Sequence, residues 1–345
     1  MTQTLIALLL ASVLAAAAIG GPGLLRRAAP ALAMIPRFAA MALTAAALLW
    51  IAALVALGPV VAWMSSGPDW LPRQIAEVCD RCLSAASPFG EGAVTIGIPA
   101  IVPLALPALG ILAVLAGLAR ELRQLRRSQS ALGAEVLAGS NSVTLLGSSA
   151  RVTGDAGLHA FSLPHRHGGI VLSRGTLASL SPAELSAVLA HEQAHLDQRH
   201  HLVLAILNGS TRFFRWIPVV RAVRAAVPHY LEIAADQAAK AEVGTTALAS
   251  ALLKLGQPGD LGQPGDLGQP GDLGQSDRSA PAGRVPEHAV LHAAGSERIR
   301  HLVGAPRPPA SAALAAAVGI YACVLAAVIS AVNLPFVLAL LSGCL

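Results

Sequence analysis

The chain is short of charge and of aromatic side chains. Asp, Glu, Lys and Arg make up 12% of its 345 residues, about half the ordinary share, and Phe, Trp and Tyr only 3%. An ordinary soluble protein is excluded by that shortage, and a hydrophobic content of 54% excludes a disordered tail protein. Four cysteines are too few for a disulfide scaffold. Lysine is nearly missing, Lys240 and Lys254 being the two among 24 basic residues, which with abundant Ala and Gly marks a GC-rich bacterial genome rather than a function. What is left is an integral membrane protein. The net charge of +5 would suit a nucleic-acid binder, yet basic membrane flanks give the same value, so the placement of the arginines decides.

Four stretches, 1–25, 38–68, 92–119 and 308–345, hold no charged residue for longer than the roughly 20 residues a bilayer-spanning helix needs. Spans are predicted at 5–19, 39–63, 98–118 and 310–332. Because Arg26 and Arg27 follow the first apolar run rather than precede it, that run is read as a retained span and not as a cleaved signal. The loop between the first two spans carries Arg26, Arg27 and Arg37 without an acid, whereas the next holds Asp69, Glu77, Asp80 and Glu91 against Arg73 and Arg81. Arg120, Arg123, Arg126 and Arg127 follow the third span, and Arg298, Arg300 and Arg307 precede the fourth. These flanks are expected in the cytoplasm of a multi-pass cell-membrane protein whose N-terminus, Cys79, Cys82 and Cys344 lie outside. The Cys79/Cys82 pair is open to a disulfide or to two free thiols. Basic charge spent on orientation leaves no reason to expect direct nucleic acid binding.

Region 120–307, between the three-helix segment 1–119 and the final span in 308–345, holds all eleven histidines and forms the expected cytoplasmic domain. It opens with a basic helical stalk, 121–137. Short β-prone runs follow at 143–146, 159–163 and 169–173, then helical patterns from Ser181 onward. The stretch 202–220 is apolar but broken by Asn208, Arg212, Arg215 and Pro218, so it reads as a buried or interfacial hairpin and not a fifth span. At 255–272 the hexad Leu-Gly-Gln-Pro-Gly-Asp recurs three times. Its Pro and Gly content opposes helix and strand, and it reads as a flexible loop insertion rather than a calcium site.

Chemistry concentrates in His191-Glu192-Gln193-Ala194-His195, an H-E-x-x-H pattern. On a helix its two histidines project from one face and can share a Zn²⁺, with Glu192 beside the open coordination position. Ser181-Pro182-Ala183-Glu184 reads independently as the start of that helix: an N-cap, a proline at the first position and a capping-box glutamate. A catalytic zinc needs a third protein ligand, and Glu232, one turn before Asp236 on a second helical pattern at 230–243, is the candidate. Asp236 is placed to accept a hydrogen bond from the far nitrogen of a ligand histidine. Two solvent-facing acids on an amphipathic helix are the bland alternative, which Ala234, Ala235, Ala238 and Ala239 oppose by favouring close packing.

On 189–196, on Glu232-x-x-x-Asp236, and on the upstream runs 160–164 and 169–175, the chain resembles the BlaR/MecR-type membrane metallopeptidases and, more distantly, the HtpX and CAAX-protease group. The resemblance covers 143–302. It implies a multi-span α-helical membrane protein with an inserted α+β zincin-like metalloprotease domain, in which a sheet with an exposed edge strand precedes the metal helix. His159, Ala160, Phe161, Ser162 and Leu163 would form that edge and receive substrate as an added strand. His292, Arg298 and Leu302 resemble the H-P-x-x-x-x-R-x-x-x-L element of the CAAX-protease-like group, which implies a transition-state role for His292 and Arg298, although Ala293 replaces the proline. The β-lactam-sensing members carry an outer penicillin-binding domain after the fourth span. This sequence ends at Leu345 without one and has no Ser-x-x-Lys in its outer loops, so acylation by antibiotic is not expected.

The expected activity is zinc-dependent cleavage of a cytoplasmic protein, with Glu192 as general base, in a chain lodged in the lipid bilayer. The resemblance implies a transcriptional repressor as the target. An HtpX-like quality-control protease shares the chemistry, and a non-catalytic adaptor retaining the fold is the third reading. Of the other histidines, His200 and His201 read as a polar helix end, His165 and His167 as a solvated turn, and His229 as a surface residue. Cys323 reads as a small apolar side chain within the fourth span.

Overall fold

Pro36 separates the first two helices, since a proline disfavours helix in the residue before it and is preorganised for the first position of a new one. Helix α1 runs Thr2–Leu32 and α2 runs Pro36–Ala62. In this computed structural model residues 2–62 and 101–255 are described, with three isolated positions, 77, 327 and 330. The fourth span apart from 327 and 330, Cys79, Cys82, Cys323, Cys344, the hexad repeat beyond Leu255, His292 and Arg298 lie outside the described residues.

Leu8–Leu32 and Pro36–Gly58 are long and apolar enough to cross a membrane. The first helix extends beyond the predicted 5–19 and carries Arg26 and Arg27 within it, where their stems can snorkel toward water. Of the predicted third span, 101–118 begins α3, Ile101–Gly139, a continuous helix that also takes in the basic stalk.

Beyond α3 come β1 (Ser140–Leu145), β2 (Ser148–Thr153), β3 (Ala160–Ser162) and β4 (Ile170–Ser173). Helices α4 (Arg174–Ser179), α5 (Pro182–Asp197), α6 (His200–Thr211), α7 (Pro218–Val243) and α8 (Thr245–Leu255) follow. The sheet is mixed, in the order β1-β2-β4-β3, with β2 and β4 parallel and the outer pairs antiparallel. Strand β2 was not anticipated. Its serines and arginine conceal the alternation, and the turn into it uses Leu146 and Gly147, both at positive φ, where Asn-Gly would have announced a hairpin.

The chain divides into two compact units. One comprises Met1–Leu125, His201–Tyr230 and Arg307–Leu345, the other Arg126–His200 and Leu231–Pro306. In the second, β4 is buried along its whole length. Ile170 and Leu172 join Val188, Leu189 and Leu196 of α5 and Ala251 of α8, while Val171 packs with Val136, Leu163 and Phe161. That alternation backs the metal helix with a dry sheet face. In the first unit Leu10 and Leu14 of α1, Trp50, Ile51 and Ala53 of α2, and Ile217 and Val220 form one buried cluster.

Candidate metal centre

Helix α5 begins as its sequence dictates. Ser181 Oγ accepts from the Glu184 N–H at 3.4 Å, Glu184 Oε2 accepts from the Ser181 N–H at 2.7 Å, and Pro182 holds the first turn. The same carboxylate also receives Lys254 Nζ at 2.7 Å and the Ser250 hydroxyl, both from α8. The Lys254 bond, with those from Ser250 and Ser181, holds the Glu184 carboxyl down at about 2. A residue read as a local cap therefore also joins two helices.

With its start fixed, α5 presents His191 and His195 on one face, both buried, toward Glu232 and Asp236 on α7. Their Nε2 atoms lie 3.1 Å apart, and Glu232 oxygens stand 3.6 Å from His191 Nε2 and 3.5 Å from His195 Nε2. The two contacts use different oxygens of the one carboxylate, and the ligand atoms of the three residues lie within 4.8 Å of one another, close enough for a single zinc with bonds of roughly 2.0–2.1 Å to draw them onto one ion.

The hydrogen bonds behind the rings fix their tautomers. Asp236 Oδ1, 3.1 Å from His191 Nδ1, holds a proton on that nitrogen. On the other ligand, His195 Nδ1 lies 2.8 Å from His200 Nδ1, and His200 Nε2 lies 3.2 Å from Gln198 Oε1. With the amide oxygen accepting from His200 Nε2–H, His200 Nδ1 is an acceptor and His195 Nδ1 the donor. Two Nε2 lone pairs then face each other and a carboxylate, an arrangement that requires a cation between them. Burial opposes charge on His191, but the hydrogen bonds it donates to the Asp236 and Glu232 carboxylates outweigh it and raise the imidazole to about 10, so in the metal-free protein a proton meets the same requirement. Glu192 is 2% exposed, and its Oε2 has no hydrogen-bond partner among the described residues, as a carboxylate awaiting water or substrate would be. The residues present therefore fit zinc.

Residues 147–253 match the model of Peptidase family M48. The chain carries an M48 zinc metallopeptidase domain. No curated protein and no solved structure shows significant similarity to the chain. The M48 domain is that of a zinc metalloendopeptidase, and the match lies with the HtpX-like side of the resemblance read from sequence.

His200 is what sequence reasoning misplaced. It is buried against His195 and not at a solvated helix end. A continuous helix would turn a residue five positions on about 140° away from His195. The chain instead breaks at Gln198 and Arg199, with Arg199 at φ 52°, and restarts at His200, which swings the imidazole back. The spacing H-E-x-x-H-x₄-H was the available signal. His165 and His167 form a short 3-10 turn with no buried residue, as expected.

Strand β3 ends the sheet among the described residues, and both β3 and β4 lie beside α5. Ser173 N–H donates to His159 O and Leu163 N–H to Gly169 O, so His159, Phe161 and Leu163 turn their backbone groups toward β4. By strand alternation Ala160 and Ser162 aim theirs at the outer edge.

Proposed function

We propose that the M48 domain of this chain is a membrane-anchored endopeptidase that cuts an extended segment of a cytoplasmic protein. The observation that carries this reading is the convergence of His191, His195 and Glu232 within reach of one ion beside the buried Glu192 carboxylate. In this mechanism His191, His195 and Glu232 hold zinc, with Asp236 orienting His191. Bound zinc supplies Lewis-acid polarisation of water and of the scissile carbonyl. Glu192 takes the proton of the attacking water and passes it to the leaving amine, so a peptide bond breaks without a covalent intermediate. Ala160 and Ser162 offer outward N–H and C=O groups to the substrate backbone, and main-chain pairing of that kind places a peptide with little side-chain preference.

Loose side-chain selection together with the M48 match favours a quality-control role of the HtpX kind. Signalling by inactivation of a transcriptional repressor is the second reading, favoured by the span layout read from sequence. In both, the basic flanks support a cytoplasmic domain with the N-terminus outside. Roles for His292 and Arg298 at the transition state rest on the sequence element alone. Replacing Glu192 by Gln should abolish cleavage while zinc stays stoichiometric by metal analysis, and substrates trapped by the variant can be identified by mass spectrometry. Cleavage at the wild-type rate by Glu192→Gln, or purified protein without zinc, would overturn the enzyme mechanism.

A further inference from the structure

The segment Arg212-Phe213-Phe214-Arg215-Trp216-Ile217 joins α6 to α7, and its two faces differ in chemistry. Phe214 and Ile217 turn inward, onto the cluster of Leu14 from α1, Trp50 and Ile51 from α2 and Val114 from α3. Phe213 and Trp216 turn outward, 52% and 76% exposed, in a chain with few aromatics. Leu202 and Ile206, one turn apart on α6, are exposed as well. The Trp216 indole N–H is held by Phe213 O at 3.1 Å, and the hairpin is clasped by Arg224 Nη1, which donates to Asn208 O at 3.2 Å and Thr211 Oγ1 at 2.8 Å.

The depth of the tip follows from its neighbours. Gly117 and Gly209 let α3 and α6 touch backbone to backbone: a Cβ on Gly117 would meet Gly209 O at 2.4 Å and Arg212 Cβ at 3.4 Å. A Cβ on Gly21 of α1 would meet Val219. Gly209 stands where α3 becomes charged, since a Cβ there would meet Leu118 Cα at 2.7 Å and Glu121 Cβ at 3.1 Å, while Gly21 lies five residues, about 7.5 Å at the helical rise, before Arg26 on α1. Phe214 and Ile217 pack in the cluster that also holds Leu14 and Val114, both within uncharged stretches of α1 and α3. From Gly209 at the level of Glu121 the chain passes Gly117 at Arg212, so the tip lies just on the apolar side of the charged band, where an interfacial segment buries its apolar face.

We propose that the α6–α7 hairpin is a phospholipid-binding element that sets Phe213 and Trp216 among the acyl chains just beneath the headgroups, with Arg212 and Arg215 on the phosphates of anionic lipids. This rests on the membrane anchoring of α1 and α2 proposed above. Trp is suited to that level, its ring apolar and its N–H polar, and arginine binds phosphate with a planar fork. The position commits the hairpin to lipid: the residues behind it belong to the helices that cross the bilayer, so its outer face meets the solvent those helices meet.

The test uses the full chain in vesicles of phosphatidylcholine and phosphatidylglycerol whose acyl chains carry bromine near the headgroup end. Subtracting the emission of Trp216→Phe from that of wild type isolates Trp216. Blue-shifted emission, quenched roughly twofold by those lipids, is expected from a ring at interfacial depth. In Arg212→Gln/Arg215→Gln the extra quenching seen with phosphatidylglycerol over phosphatidylcholine alone should vanish. Solvent-like, unquenched Trp216 emission from protein that resists alkaline carbonate extraction overturns the hairpin proposal alone. Extraction by carbonate overturns the anchoring itself. Quenching only by bromine at the acyl-chain ends replaces the interfacial hairpin with a deeply embedded one and overturns the phosphate contacts.

Discussion

At the residue scale the centre depends on which nitrogen of each histidine carries a proton. Asp236 sets this for His191 directly, whereas His195 is set through two further side chains, His200 and then Gln198. Because these outer groups orient ligands and raise their basicity, Asp236→Ala and His200→Ala should each weaken zinc binding by about 10–100-fold, measured by competition with a chromogenic chelator. Unchanged affinity in His200→Ala would show that the His195–His200 contact does not orient the ligand. H-E-x-x-H and Glu232 were legible because metal ligation by a helix demands a fixed spacing. His200 was not, because its position depends on a break whose sequence, Gln198-Arg199, contains neither glycine nor proline. Only the positive φ of Arg199 shows that the helix stops.

At the scale of elements, helix starts were the most readable feature, since a capping box is local chemistry. Ser181→Ala should cost about 1 kcal/mol of domain stability by chemical denaturation. Glu184 has a second function that no local pattern contained, its bonds to Lys254 and Ser250 across 66 residues or more of sequence. Its carboxyl is lowered in the folded state to about 2. Its contribution is therefore present in full above the unfolded carboxyl value of roughly 4.3 and disappears as pH falls through about 2. The stability difference between wild type and Glu184→Gln should be constant near neutrality and should shrink as pH drops from 4.5 toward 2. A difference that does not change over that range would mean the ion pair adds nothing. The sheet shows the opposite limit: β4 announced itself by continuous Ile-Val-Leu, whereas β2 is specified by its partners β1 and β4 rather than by its own residues.

At the scale of the whole molecule, long uncharged runs and basic flanks predict how the chain lies across a bilayer. A cysteine introduced at Gly147, on the β1–β2 turn, in a variant lacking the four native cysteines, should react with a membrane-impermeant maleimide only after cells are permeabilised. Labelling of intact cells would invert the orientation. The sequence by itself determined that the first two apolar stretches form helices long enough to cross a membrane, that one helix carries H-E-x-x-H, and which acids lie one turn apart on another. Those features follow from period and spacing along a single element. The tertiary structure alone decided that the triad converges within reach of one ion, that His200 stands behind His195, that Glu184 reaches α8, and that Phe213 and Trp216 face outward. The His200 contact depends on a backbone break with no local signal, and the others on residues distant in sequence, where the packing of other elements fixes the geometry.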